Sequence, residues 1–249
     1  MLVGVNAGSS GLVVALDGPG SSGKSSVGAA AALERGYRFC DTGLLYRAAT
    51  WLALERGVRP DRGDGKIDAG ALVALVPEIA LVADANGRLA QVSVEGRDVT
   101  ADVHSPRVDD AVSAISRVPE LRAALLDRQR ALAAEPGGII MAGRDIGTVV
   151  LADADLKIFL DASVEERARR RTEEREIAPD SPEARWILAR LRRRDNLDST
   201  RAVAPLRPAE DAVHIVTDGN RFEDTVRAVV AAIRSAEAAR SVGAGEPTR

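Results

Sequence analysis

The chain has 249 residues, 45% of them hydrophobic and 29% charged, an ordinary balance for a soluble globular protein with one sizeable core. Its 34 basic and 37 acidic side chains give a net charge of −3, and aromatics make up only 3%, so neither a broad basic field nor base-stacking platforms point to nucleic acid. No run approaches the roughly 20 apolar residues of a membrane span, and a single cysteine, Cys40, excludes an internal disulfide framework and a thiolate metal cluster. His104 and His214 lie far apart and unaccompanied, which argues against a metal or triad site built on them. Residues 1–11 lack a basic start and are too short for a secretory leader, so they read as a loose extension, with the cytoplasm as the default location. Lysine occurs only at positions 24, 66 and 157, so nearly all the positive charge is arginine.

Residues 12–16 form a short apolar run ending at Asp17, which reads as a buried parallel strand. The alanine-rich stretch 27–34 is helical by propensity. Residues 38–40 suggest a second strand and 44–56 a helix, and this alternation predicts an α/β fold with a parallel sheet between helices. Residues 59–70, rich in Asp, Gly and Arg, read as a loop. Residues 79–82 and 89–94 flank Asn86-Gly87 as an antiparallel hairpin, which suggests an inserted subdomain. Helical patterns cover 106–116 and 119–134, and core strands are expected at 139–141 and 157–160. Two charged helices, 165–176 and 183–194, are joined by the breaker segment 177–182. A last strand is expected at 213–217, followed by an apolar helical stripe through Phe222, Val226, Val229, Val230 and Ile233 that reads as core packing. From about 237 the composition predicts a frayed tail.

Gly18, Pro19, Gly20, Ser21, Ser22, Gly23, Lys24 and Ser25 match G-x-x-x-x-G-K-[ST], after an apolar strand and before a helix, and together with Ser26 they are the expected nucleotide-binding residues. The glycines let successive N–H groups converge on one centre, and the helix N-terminus adds partial positive charge. Lys24 is placed to reach the β- and γ-phosphates of a nucleoside triphosphate, and the Ser25 hydroxyl to ligate Mg²⁺. This motif alone indicates ATP or GTP, not the reaction. Asp41-Thr42-Gly43, with Tyr46 and Arg47, lies just past the second strand, and Gly143-Arg144-Asp145 just past a later one. In a parallel sheet both fall on the rim that carries the glycine loop, where ligands bind.

The glycine loop, D-T-G-x-x-Y-R, the stretch from Ser113 through Val118-Pro119-Glu120-Leu121-Arg122, G-R-D-I-G-T-V-V, K-I-F-L-D-A-S and R-R-D-x-x-D-S-T-R-A-V-A-P-L occur in the order typical of bacterial cytidylate kinases. The chain resembles that family over about residues 12–236. The resemblance implies a P-loop NTPase-type parallel sheet flanked by helices, with a core at about 12–56, 119–162 and 195–236, a nucleotide-monophosphate-binding insertion at 57–118 and a helical lid at 163–194. It implies transfer of a phosphate from ATP to CMP or dCMP, with Mg²⁺ as cofactor and a monomer as the expected state. By matching position, Ser113, Arg122 and Asp145 are the implied cytosine contacts. A carboxylate suits the exocyclic amine, and Arg and Ser suit the ring acceptors, whereas uracil would present a carbonyl to the aspartate. Arg47, Arg144 and Arg201 are implied to bind the acceptor phosphate, Arg194 and Asp198 to hold the ribose region, and Asp41, Thr42 and Tyr46 to shape the pocket. Lys24, Arg144, Arg194 and Arg201 are the expected catalytic group.

The acceptor oxygen is already ionised near neutral pH, since a phosphomonoester's second pKa is about 6. No strong general base is required, and the chemical difficulty is bringing two anions together. The lid carries Arg167, Arg169, Arg170, Arg171 and Arg175, of which one or two are expected to act. One departure stands out: the family usually carries an acid just before G-R-D, and this chain has Ala142, so a raised Mg²⁺ requirement is expected. The alternatives are a kinase for another small monophosphate and a nucleotide-binding regulator without turnover, which only Ala142 favours.

Overall fold

The computed structural model describes residues 11–58 and 67–243. The expectations for residues 1–10, for most of the 59–70 loop and for 244–249 lie outside those residues. Within them, strands β1 (Val13–Asp17), β2 (Arg38–Asp41), β3 (Ile79–Ala83), β4 (Arg88–Val94), β5 (Arg97–Asp98), β6 (Ile139–Gly143), β7 (Leu156–Asp161) and β8 (Val213–Val216) form one eight-stranded sheet. Its order is β3-β4-β2-β6-β1-β7-β8, with β5 on the β4 edge. The pairs β2–β6, β6–β1, β1–β7 and β7–β8 are parallel, and the central strands are apolar because both faces are covered.

Helices α1 (Lys24–Arg35) and α8 (Phe222–Gly243) pack on one face over Leu16, Val27, Ile140, Val229 and Ile233. On the other side α2 (Gly43–Glu55), α3 (Ala69–Leu75), α4 (Pro106–Ile115) and α5 (Pro119–Ala134) enclose a second core with the hairpin, around Leu45, Leu72, Ile79, Ile115 and Leu121. Local chemistry sets several helix starts. Asp68 caps α3 by accepting from Ala71 N at 2.9 Å, and Pro106 and Pro119 stand in the first turns of α4 and α5. Ser163 caps α6 (Val164–Glu173), and Ser181 caps α7 (Pro182–Ser199).

Four features go beyond the sequence reading or differ from it. Helix α3 starts at Ala69, inside the expected 59–70 loop. The β3–β4 hairpin, turned at Gly87 with φ 74°, is not detached from the sheet: β4 pairs in parallel with β2 at Phe39↔Arg88 and Cys40↔Leu89. The open edge of β2 is satisfied there by backbone that lies far along the chain. Helix α7 runs unbroken through residue 194, because nothing in Arg192–Ser199 breaks a helix, so R-R-D-x-x-D is a helical face. Where a frayed tail was expected, α8 continues to Gly243. Glu237 anchors it by accepting from Arg35 Nη2 and from the Tyr37 hydroxyl, both at 2.6 Å.

Candidate functional site

Strands β2, β6 and β1 are parallel neighbours, so Asp41, Gly143 and Asp17 end on one rim. The glycine loop leaves β1 there. Gly18 has φ 152°, and a Cβ on it would lie 2.1 Å from Leu160 O, so only glycine fits. Ser21 takes a left-handed φ of 61°, and Gly23 at φ 90° opens α1. Lys24 folds back over the loop, donating to Pro19 O at 2.6 Å and Ser22 Oγ at 3.3 Å. Burial and the neighbouring Arg144 charge push its pKa well below the usual lysine value, against the pull of Asp41 and Asp17. The Ser25 hydroxyl donates to Asp41 Oδ2, and Asp41 Oδ1 accepts from Gly43 N at 2.9 Å. Ser26 is exposed and borders a groove with Ala29 and Asn86, away from the loop's interior. Asp17 accepts from Ile146 N at 2.9 Å and Gly147 N at 2.7 Å, and burial raises its pKa to about 6.

A cavity beside the loop gathers Thr42, Tyr46, Arg47, Ser113, Arg122, Arg144, Asp145, Arg194, Asp198 and Arg201. Of the residues implied for the acceptor, only Asp41 stands outside its lining, at the glycine loop instead. Asp145 is the hub: it is 2.5 Å from Arg122 Nη2 and 3.1 Å from Arg201 Nη2, with all three side chains under a tenth exposed. The Arg122 guanidinium lies 5.2 Å from the centre of the Tyr46 ring. Arg144 Nε donates to Asp198 Oδ2 at 3.1 Å. The Thr42 hydroxyl is spent on the sheet, donating to Ala142 O at 2.9 Å. The loop and the arginines are in contact: a Cβ on Gly20 would lie 3.4 Å from Arg144 Nη2 and 3.7 Å from Arg194 Cδ. The crowding shows in Arg194, whose buried Nε has no hydrogen-bond partner and lies 4.0 Å from Asp198 Oδ2, and whose pKa falls to about 10 through burial and the Arg144 charge.

The arginines of the segment expected to form a lid divide by what they touch. Arg167 donates to Gly20 O at 3.0 Å and pairs with Asp195 at 2.6 Å. Arg171 reaches Ser21 Oγ at 3.3 Å. Arg169 is tied to Glu166 and Glu173 on its own helix, and Arg170 to Glu166 and Thr217. Arg175 lines the cleft between α4 and α7.

The profile of the family described as cytidylate kinase matches residues 14–235. The chain belongs to the cytidylate kinase family. The chain is 46% identical over 217 residues to the cytidylate kinase of Rhodococcus opacus, covering 87% of this chain and 92% of the relative. It is 43% identical to that of Nocardia farcinica (86% and 90% covered) and 42% identical to that of Pelotomaculum thermopropionicum (88% and 95%).

Three acids of this cytidylate kinase family member were not singled out by sequence reasoning. Asp17 holds the turn that presents Asp145, Asp195 anchors Arg167, and Asp109 on α4 bridges Arg47 at 2.7 Å and Arg171 at 3.4 Å. Asp109 lies four residues before Ser113, hence on the same helical face, and that spacing was a signal available in the sequence. Among the described residues no group of three or more His, Cys, Asp or Glu could hold a metal. Mg²⁺ in phosphoryl-transfer sites takes one or two carboxylates and otherwise substrate phosphates and water, so the Ser25–Asp41 pair at the glycine loop fits it. Ala142 is buried with Leu16 and Val27 and supplies no oxygen from its side chain.

Proposed function

We infer that the chain transfers the γ-phosphate of ATP to CMP and dCMP, producing CDP and dCDP. The observation that carries this reading is the contact between the two halves of the site: Arg144 and Arg194 lie against Gly20 of the loop that carries Lys24, while Asp145 sits beside Arg122 and Arg201 in the adjoining cavity.

The glycine-loop amides and Lys24 hold the β- and γ-phosphates of ATP. Arg47, Arg144 and Arg201 hold the acceptor phosphate, with Arg194 between the two anions. Arginine's planar fork suits this better than a point charge. An acceptor phosphate oxygen attacks the γ-phosphorus in line, the bond to the β–γ bridging oxygen breaks, and ADP leaves with that electron pair. No residue removes a proton from the nucleophile. Ser25 and Asp41 would hold Mg²⁺, which supplies charge neutralisation at the phosphates when bound. Arg167 and Arg171 bring the lid over the loop and exclude water, the competing acceptor. Asp145 accepts from the cytosine amine, with Arg122 and Ser113 serving its ring acceptors. Thr42 supports the pocket through the sheet, and Tyr46 through the Arg122 guanidinium.

We place the enzyme in the cytoplasm as a monomer acting on small nucleotides, not on nucleic acid. Its units are a core at 12–56, 119–162 and 195–236, an acceptor-binding insertion at 57–118 and a lid at 163–194. Among the described residues no helix is long and apolar enough to cross a membrane. A coupled ADP-release assay across CMP, dCMP, UMP and AMP tests the function. CMP and dCMP are expected to turn over fastest, and equal rates with UMP or no turnover would overturn the reading.

A further inference from the structure

The cavity between the lid and α4 contains an interaction that the mechanism does not use. Asp109 points into it with a side chain only 8% exposed. Its Oδ1 accepts from Arg47 Nη2 at 2.7 Å, and its Oδ2 lies 3.4 Å from Arg171 Nη2. The other end of Arg171 reaches Ser21 of the glycine loop at 3.3 Å, and Arg47 Nη1 is engaged by Val103 O at 3.1 Å. One carboxylate therefore closes a chain of contacts that runs from the loop through the lid to α4 and α2.

We propose that Asp109 is an internal stand-in for the acceptor phosphate, clasping Arg47 and Arg171 until the phosphate of CMP displaces it. The proposal rests on the reading of Arg47 as an acceptor-phosphate ligand. Two of the five N–H donors of Arg47 are taken, one of them by this carboxylate, so a phosphate that takes the place at Nη2 held by Asp109 must displace it. Burial disfavours the Asp109 anion, but Arg47, Arg171 and Arg194 outweigh it and hold its pKa below the ordinary aspartate value. The carboxylate is thus ionised at neutral pH, and it is a monoanion in a position where a dianion with three oxygens competes. A phosphate that arrives must break this clasp, and its apparent affinity is reduced by the fraction of molecules in which the clasp is closed. The same contact tethers α6 to α4 in the ligand-free enzyme. Displacement frees Arg171 for the phosphates, so acceptor binding is coupled to the lid. Asp109 is a positioning residue here, acting through the two arginines.

The test compares Asp109→Asn with Arg47→Ala in the full chain, by calorimetric titration with CMP and by amide hydrogen exchange of the ligand-free protein. Asp109→Asn is expected to bind CMP about threefold to tenfold more tightly, since a competing like charge is removed. It is also expected to exchange faster across α6, because the tether is cut. A purely structural role for Asp109 predicts faster exchange with weaker CMP binding, and that result overturns the proposal, as does unchanged CMP affinity. Loss of CMP affinity in Arg47→Ala separates this outcome from failure of the underlying reading, which would show as CMP binding indifferent to Arg47. Asp109→Ser provides the same comparison if the asparagine variant does not fold.

Discussion

At the scale of single residues, the proposed reading gives base choice to Asp145. Its buried carboxylate is held between Arg122 and Arg201. A carboxylate facing the uracil carbonyl leaves two acceptors opposed, and buried unpaired polar groups are the strongest source of discrimination available to a binding site. Asp145→Asn is therefore expected to lower kcat/KM for CMP by about 10²-fold or more and to narrow the gap to UMP, because an amide can donate to that carbonyl. Competition of CMP with UMP in one assay measures both effects. Position 142 sets a second expectation. Asp41 is the carboxylate bonded to the Ser25 hydroxyl, while Ala142, its partner in register on β6, carries none. Ala142→Glu is expected to lower the Mg²⁺ concentration needed for half-maximal rate by about threefold, the effect of one added carboxylate near a divalent ion. A rate profile against Mg²⁺ that matches the unmodified protein would remove the idea.

At the scale of elements, the turn after β6 is held by a charge from β1. Asp17 accepts two backbone amides there and has its pKa raised to about 6, principally by burial. A carboxyl with a raised folded-state pKa stabilises fully below its unfolded value and loses that contribution as pH rises through the folded value. Between about pH 4 and 6 this group's contribution should fall by on the order of 3 kcal/mol, from a shift between 3.8 and about 6. Thermal melts across that window should show the decline, and Asp17→Asn should flatten it. The lid helix gives a paired prediction. Arg171 contacts Ser21, whereas Arg169 is exposed and tied to acids on its own helix. Arg171→Ala should cost about 10- to 100-fold in kcat, less than the roughly 10²- to 10³-fold of a preorganised charge-stabilising donor because Arg171 reaches the loop from a separate helix. Arg169→Ala should leave kcat within about twofold, since surface ion pairs contribute little. Equal losses in the two variants would refute this division of the lid.

At the scale of the whole molecule, the apolar side chains gather into separate clusters: one under α1 and α8, one on the opposite sheet face around Ala15, Cys40 and Met141, and one among α2–α5 and the hairpin. The first cluster adjoins the glycine loop through Leu16 and Val27, and the third adjoins the neighbouring cavity through Leu45, beside Tyr46. Ile233 on α8 is fully buried in the first core and remote from the acceptor cavity. Ile233→Ala should cost about 2–5 kcal/mol in urea unfolding, while KM for CMP stays unchanged. A shifted KM would show that packing under α8 is coupled to the cavity.

Much of this protein was legible in its linear order. Strands 12–16, 38–40, 139–141 and 157–160 announced themselves as short apolar runs, and the hairpin by Asn86-Gly87, because these signals are local. The glycine loop was legible because phosphate chemistry demands particular residues at fixed spacing beside a strand end, whereas the arginine assignments came from the family resemblance alone. Tertiary structure alone decided that β4 joins β2, that Glu237 pins the last helix, and that Arg167 and Arg171 face the loop while Arg169 and Arg170 do not. It alone showed Asp109 lying between Arg47 and Arg171. Each of these is a pairing between residues distant in the chain, and such pairings are set by which helix faces which, a quantity that periodicity and propensity along the sequence do not contain.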